Sequence, residues 1–220
     1  MPVSRLHFEE EVNRIHHDLL AMGTRVEEDL RKASLAARER DTKLAGDVIA
    51  DDEVINAMQV KIEDQAAQLM ATQQPVARDL RELVATIKIV ADLERIGDYA
   101  VHLSKAVIKL KEAADFSQMD TLSEMAALSC DMLRQAMNAM LNHDEALARS
   151  TATVDRTIDA RHRSLVQEIL ALVRDKPEKA SEAYRLLRTA NFLERLGDHI
   201  THICENTVYM VTGAHVELDE

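Results

Sequence analysis

The sequence predicts an all-α protein made of two tandem antiparallel three-helix bundles, and three observations lead to this prediction. Only 5 glycines and 3 prolines occur in 220 residues, so few positions favour turns. Apolar residues recur at helical spacing through most of the chain. A motif near the middle of the chain returns one hundred residues later, which indicates two halves of similar plan.

Six helices are expected, three in each half. Asp41 and Asp144 suit the N-caps of the second and fifth helices. Pro75 and Pro177 mark the turns before the third and sixth helices, because proline ends one helix but fits the first turn of the next. The expected ranges are about 6–40, 42–72, 76–112, 116–141, 145–173 and 178–211.

The two halves are expected to comprise residues 1–113 and 114–220, joined by a short connector near 113–115. Helices of about 30 residues are about 45 Å long at 1.5 Å per residue, so an elongated molecule is expected. The residues after the last helix form a polar tail that is expected to fray.

Charge and composition narrow the class of function. A formal net charge of −12 argues against nucleic-acid binding, which needs a basic face. The acidic excess fits cation binding, and it also fits ordinary solubility. Cys130 and Cys204 lack zinc-ligand spacing and are interpreted as buried apolar residues in a reducing compartment. No signal peptide and no apolar run of about 18 residues is found, so a cytoplasmic location is expected.

The repeated motif is Leu-Glu-Arg-(Ile/Leu)-Gly-Asp, at residues 93–98 and 193–198. Each copy places a glutamate and an aspartate four residues apart, on one face of a helix. The apolar seam of that helix runs through the glutamate, so the acidic pair is expected to face the neighbouring helices. Glycine inside a helix costs about 1 kcal/mol relative to alanine. Its presence in both copies indicates that another helix approaches closely there.

When each helix hairpin is folded about its proline turn, two side chains of the preceding helix, each with a carboxylate or amide oxygen, come level with the motif. The resulting pairs are Asp52 with Asp98 and Asn56 with Glu94 in the first half, and Asp155 with Asp198 and Asp159 with Glu194 in the second. By a looser extrapolation, Asp29 and Asp131 on the first helix of each half also come level with these groups. We therefore predict one acidic cluster in each half.

Carboxylates that converge inside a bundle raise one another's pKa and lose hydration, and a multivalent cation relieves both effects. Oxygen ligation suits hard ions, so the candidates are iron, manganese, magnesium and calcium rather than zinc or copper. His102 and His202, one turn further along, would favour iron, although a histidine so placed is more often a satisfied polar residue than a ligand. The simpler alternative is that each motif is a solvated face, closed by Arg95 or Arg195.

The duplicated motif within two three-helix units resembles the PhoU family of phosphate-uptake regulators over nearly the whole chain. The residues that carry the resemblance are Ala-Asp-Leu-Glu-Arg-Ile-Gly-Asp at 91–98 and Phe-Leu-Glu-Arg-Leu-Gly-Asp at 192–198. The hallmark of that family is Glu/Asp-x-x-x-Asp in each half. The resemblance implies a PhoU-like all-α fold whose motifs bind metal ions or clusters, iron among them.

The same resemblance implies a negative regulator of the phosphate-starvation response and of high-affinity phosphate uptake. Such a protein would be a peripheral cytoplasmic homodimer, acting between the ATPase of a phosphate ABC transporter and a membrane sensor histidine kinase. This chain departs from symmetry at Asn56, since the second half has Asp159 at the matching place. The two sites are therefore expected to differ in charge.

Two other classes of function stay open at this point. A carboxylate-bridged dimetal enzyme, either an oxidase or a hydrolase, could use the same carboxylates. Against it, the Glu-x-x-His pair of ferritin-like proteins is missing, as are a nucleophile–base pair and a glycine-rich phosphate loop. We therefore expect no enzyme. The third class is a purely structural helical adaptor that holds no metal.

Overall fold

The computed structural model describes residues 2–110 and 118–218 of the chain. These residues form helices and no β-strand, which confirms the all-α fold class. The helices are α1 Pro2–Glu39, α2 Thr42–Gln73, α3 Arg78–Lys109, α4 Gln118–Leu141, α5 Glu145–Ala152, α6 Asp155–Asp175 and α7 Ala180–Thr212, with a short 3-10 helix at Pro177–Lys179. None of these helices combines the length and the apolar character needed to cross a bilayer.

Capping aspartates determine where two of the helices begin. The carboxylate of Asp41 accepts hydrogen bonds from the backbone N–H groups of Lys43 and Leu44, at 2.9 and 3.1 Å, and so caps α2. Asp144 caps α5 in the same way. The predicted end of the third helix at 112, the start of the fourth at 116 and the connector at 113–115 lie outside the described residues.

The predicted fifth helix is interrupted by a turn at Thr153 and Val154 and comprises α5 and α6. The hydroxyl group of Thr153 donates to the carbonyl of Ser150 at 2.7 Å, and that of Ser150 donates to Leu147 at 3.0 Å. Such side-chain bonds compete with the helical backbone pattern. The interruption places Asp155 at the first position of a new helix.

The two halves pack side by side around a continuous core. α3 lies along α7, α1 lies along α4, and buried apolar residues of both halves belong to a single cluster. The two bundles therefore contact each other along their length, in addition to being joined through the chain. The physical reason is that α3 and α7 each carry apolar residues on more than one face, so they bury surface against each other as well as within their own bundle. The exact boundary between the halves stays a prediction.

The C-terminal segment folds back onto α7 instead of fraying. Gly213 adopts a left-handed conformation with φ of 80°, which reverses the chain, and its N–H donates to the carbonyl of Tyr209 at 2.8 Å. The backbone N–H of Leu218 then donates to Glu205 Oε1 at 2.8 Å. The ring of His215 stacks on Tyr209 with centroids 4.3 Å apart.

Candidate metal-binding clusters

The second motif lies on α7 and faces α6. Two contacts between these helices define their register. His162 Nε2 lies 2.9 Å from Asn191 Oδ1, and these two residues are level in the register predicted from the proline turn. A Cβ atom built on Gly197 would overlap the carboxylate of Asp155, so this glycine is what lets Asp155 reach the backbone of α7. Asp155 is only 8% exposed.

In the first half, Asp52 on α2 lies near Glu94 and Asp98 on α3. Burial raises the pKa of Glu94, and the negative charges of Asp98 and Asp52 raise it further. Burial likewise raises the pKa of Asp52, and Asp98 adds to this effect. The three carboxylates therefore share a partly buried space, in which the ionised forms of Glu94 and Asp52 are disfavoured.

Arg95 closes one side of this first cluster. Its Nε lies 3.5 Å from Glu94 Oε2, and its Nη1 lies 3.2 Å from Asp98 Oδ2. One guanidinium cannot neutralise three carboxylates. The solvated-face alternative accounts for Arg95. Even with Arg95 beside Glu94 and Lys105 acting on Asp52, the pKa of both carboxyl groups stays raised, so these cations do not fully offset burial and repulsion.

Asn56 stands one turn after Asp52 on α2. Its Oδ1 atom is buried and accepts no hydrogen bond from any of the described residues. A buried acceptor without a donor costs about 1–3 kcal/mol, and a cation would satisfy it. The donor set of Asp52, Asn56, Glu94 and Asp98 therefore fits a hard metal ion, which prefers carboxylate and amide oxygens.

The second cluster differs in geometry from the first. Glu194 and Asp198 are half-buried on α7, and the buried Asp155 reaches this helix at Gly197, the residue before Asp198. Asp159, in contrast, is 37% exposed at its side chain, and Arg163 Nη1 lies 3.2 Å from its Oδ2. In the first half, a Cβ on Gly97 would meet a methyl group of Ile55 at 3.3 Å rather than a carboxylate. The halves thus differ by more than the Asn56 substitution.

The two aspartates of the looser extrapolation lie elsewhere. Asp29 is buried opposite Asp51, whose carboxylate accepts two hydrogen bonds of 2.5 Å from Arg25. Asp131 is 61% exposed at its side chain and pairs with Arg134 on the surface of α4. The extrapolation put Asp29 level with Asp52; Asp29 instead faces Asp51, one residue away, because a shift of one position in helix register moves a side chain to a different face.

A further group of side chains, which sequence reasoning missed, lies where α3 crosses α7. Asp92 Oδ1 is 2.9 Å from His199 Nδ1 and 3.5 Å from His202 Nδ1. The ligand atoms of these three residues all lie within 4.8 Å of one another, so the triad could hold a metal ion. Of these residues only His202 drew attention in the sequence.

The crossing of α3 and α7 relates the two halves by a pseudo-two-fold axis. Tyr99 and His199, which occupy equivalent places in the repeat, meet with ring centroids 5.7 Å apart. His102 stacks on Phe192 with centroids 4.2 Å apart, and the equivalent pair is His202 with Asp92. Only the pairing of the repeats could have revealed the triad, and that pairing is a tertiary contact between residues about one hundred positions apart.

A family model describes the "PhoU domain" and matches residues 19–107 and 122–207. The chain is 31% identical to a "Phosphate-specific transport system accessory protein PhoU homolog" of Clostridium acetobutylicum, over 99% of this chain and 100% of the relative. The crystal structure of PhoU from Pseudomonas aeruginosa superposes with a TM-score of 0.90 at 31% identity, covering 94% of this chain and 100% of that one.

A second crystal structure, of the "phosphate transport system regulatory protein PhoU" from Streptococcus pneumoniae, superposes with a TM-score of 0.89 at 34% identity, over 96% of this chain and 100% of that one. Sequence similarity of this extent and agreement of fold over the full length confirm what the duplicated motif indicated. On these grounds the chain belongs to the PhoU family.

Proposed function

We propose that this chain is a negative regulator of the phosphate-starvation response and of high-affinity phosphate uptake, acting as a metal-binding helical adaptor. The observation that carries the proposal is the full-length likeness to the Streptococcus pneumoniae protein, which is described as a phosphate transport system regulatory protein. Other relatives are named accessory proteins of a phosphate-specific transport system. Accessory and regulatory names fit a protein without catalytic activity of its own.

The metal ions would occupy the two acidic clusters. Glu94, Asp98 and Asp52 would be ligands in the first half, with Asn56 completing an all-oxygen set. Glu194, Asp198 and Asp155 would be ligands in the second, joined by Asp159 if its pairing with Arg163 opens. Such oxygen sets suit iron, manganese, magnesium or calcium. The raised pKa of Glu94 and of Asp52 supports this assignment, because a bound cation would offset the desolvation and the like-charge repulsion that raise it.

A bound cation would join the second and third helices of each half. It would neutralise the mutual repulsion of the carboxylates and so hold each hairpin in one arrangement. The proposed adaptor would then present fixed helix surfaces to its partners, the ATPase of a phosphate ABC transporter and a sensor histidine kinase. It would act as a homodimer on the cytoplasmic side of the membrane, reaching the membrane only through these partners.

The test is a phosphate-responsive reporter in a strain that lacks its own homologue. Wild-type protein should repress the reporter when phosphate is plentiful, and it should co-purify with the transporter ATPase or the kinase from membranes. The variant with Glu94→Gln and Glu194→Gln should lose repression. A matched control with Glu10→Gln and Glu178→Gln removes the same charge from exposed positions and should repress normally. The proposal would be refuted if reporter output were the same with and without the wild-type protein at every phosphate concentration.

A further inference from the structure

We propose that Asp92, His199 and His202 form a third metal site, which takes a borderline transition metal such as Zn²⁺, Co²⁺ or Ni²⁺. This site is separate from the all-oxygen clusters and does not depend on whether they bind metal. It lies between the halves, because Asp92 belongs to α3 and both histidines belong to α7. The metal would thus clamp the first half to the second.

The distances suit such an ion. Zinc–nitrogen and zinc–oxygen bonds of about 2.0–2.1 Å in a tetrahedral site place neighbouring ligand atoms about 3.3 Å apart. The two separations from Asp92 Oδ1 are 2.9 Å to His199 Nδ1 and 3.5 Å to His202 Nδ1, which bracket this value. Both imidazole nitrogens lie close to the same carboxylate oxygen, Asp92 Oδ1. A small movement of the three side chains would therefore make room for a cation between them.

Burial holds Asp92 and His199 in place, whereas His202, whose side chain is 44% exposed, is positioned by ring packing. The side chain of Asp92 is 13% exposed, and that of His199 is 23% exposed. The rings of His199 and His202 meet edge to face, with an interplanar angle of 86° and centroids 5.4 Å apart, and His199 is also packed against Tyr99. Ligands that are already ordered lose little conformational entropy when a metal binds.

The remaining coordination positions would face a cleft of about 380 Å³. Glu205 and His215 line this cleft together with Asp92 and His202. The hydrogen bond from Leu218 to Glu205 keeps the C-terminal segment over the cleft. Proteins bind zinc and non-haem iron through two histidines and a carboxylate, with further coordination positions left open. The triad matches this ligand set, whereas the all-oxygen clusters do not.

The other side of the pseudo-two-fold axis provides an internal comparison. The residues equivalent to Asp92, His199 and His202 are Phe192, Tyr99 and His102, which form a stack of rings without a carboxylate. The cleft beside that stack is lined by cationic side chains, namely Lys105, Lys109, Arg185 and Arg188. Such a cleft repels a metal ion. The described residues therefore offer this kind of site on one side of the crossing only.

The experiment titrates metal-stripped, full-length protein with Co²⁺ and with Zn²⁺. Nitrogen ligation in a four- or five-coordinate site gives Co²⁺ visible absorption bands that are much stronger than those of a six-coordinate oxygen site. In parallel, ¹⁵N spectra of the imidazole rings report Zn²⁺ binding at individual histidines of the wild-type protein. We expect one equivalent of Zn²⁺ to shift the ring signals of His199 and His202, and to raise the Tm.

Variants separate this site from the others. Asp92→Asn and His199→Gln should each weaken Co²⁺ binding at least about tenfold, since even loss of an outer-shell partner can have that effect. His102→Gln is the matched control on the other side of the axis and should bind as the wild type does. The variant with Glu94→Gln and Glu194→Gln should keep the Co²⁺ absorption bands, whatever its effect on phosphate regulation.

Two results would overturn the proposal. The first is an absence of movement in the ring signals of His199 and His202 at stoichiometric Zn²⁺. The second is equal Co²⁺ affinity in Asp92→Asn, His199→Gln and the wild type. Because the first measurement uses unaltered protein, it decides the question even if a variant fails to fold.

Discussion

Gly197 lies where the carboxylate of Asp155 packs against the backbone of α7, so alanine at this position perturbs the second acidic cluster directly. A Cβ there would overlap Asp155 Oδ1, and the buried carboxylate would have to move. Gly97 provides the equivalent position in the first half, where the Cβ would meet methyl groups of Ile55 and Val26, the nearest at 3.3 Å. A Cβ built on Gly46 of α2 has no neighbouring atom within 4 Å. Gly46→Ala is therefore the reference for the effect of alanine without any overlap.

The expected magnitudes follow from two opposing effects. Alanine is favoured over glycine inside a helix by about 1 kcal/mol, so Gly46→Ala should raise the free energy of unfolding by about that amount. Gly97→Ala should raise the free energy of unfolding by somewhat less, because the end of the Ile55 side chain must shift to make room. At Gly197 the overpacking penalty of about 1–3 kcal/mol exceeds the gain, so the net effect should be a loss of up to about 2 kcal/mol.

Urea unfolding of the three variants at constant pH, without added metal, measures these changes. Gly197→Ala should unfold at a lower urea concentration than the wild type, and Gly46→Ala at a higher one. The reasoning would be refuted if Gly197→Ala were stabilised as much as Gly46→Ala. That result would mean that Asp155 does not pack against α7 at this point, and the second cluster would lose its buried member.

Three further predictions concern other parts of the molecule. Burial raises the pKa of Asp29 to about 7, so its contribution to stability is lost as pH rises from about 4 to 7, and Asp29→Asn should gain stability over the wild type across that window in urea unfolding. Burial also raises the pKa of Cys130 to about 11 and of Cys204 to about 12, so both thiols should react slowly with a thiol reagent at pH 8 until the chain is unfolded. Asp155→Asn should reduce the bound hard cation, whereas Asp131→Asn on the surface should change neither metal content nor stability by more than about 0.5 kcal/mol.

The helical plan could be predicted because its signals are local. Asp41 and Asp144 cap the helices that were assigned to them, since a capping carboxylate needs only the next three residues. The turn at Thr153 was not foreseen, because the serine and threonine hydroxyl groups that compete with the backbone there are also compatible with a continuous helix.

The acidic motifs could be located from the sequence because they combine a repeat with helical spacing. The triad could not, because Asp92 lies outside the part of the motif that repeats, and its partners lie in the other half of the chain. The sequence predicted two tandem bundles but gave no signal for how one packs on the other, so nothing in it brought α3 against α7. The packing of Val216 and Leu218 onto the core was missed for a similar reason, since two apolar residues in a polar tail give no periodic signal.

The central claim is that cations neutralise the two internal acidic clusters. Its most direct test is the manganese content of metal-stripped protein after equilibrium dialysis against Mn²⁺, measured by mass spectrometry in the Asp92→Asn background to remove the third site. At least one Mn²⁺ per half should be bound, and the added changes Glu94→Gln and Glu194→Gln should abolish this binding while Glu10→Gln and Glu178→Gln leave it intact. Equal Mn²⁺ content in all of these proteins would contradict the claim.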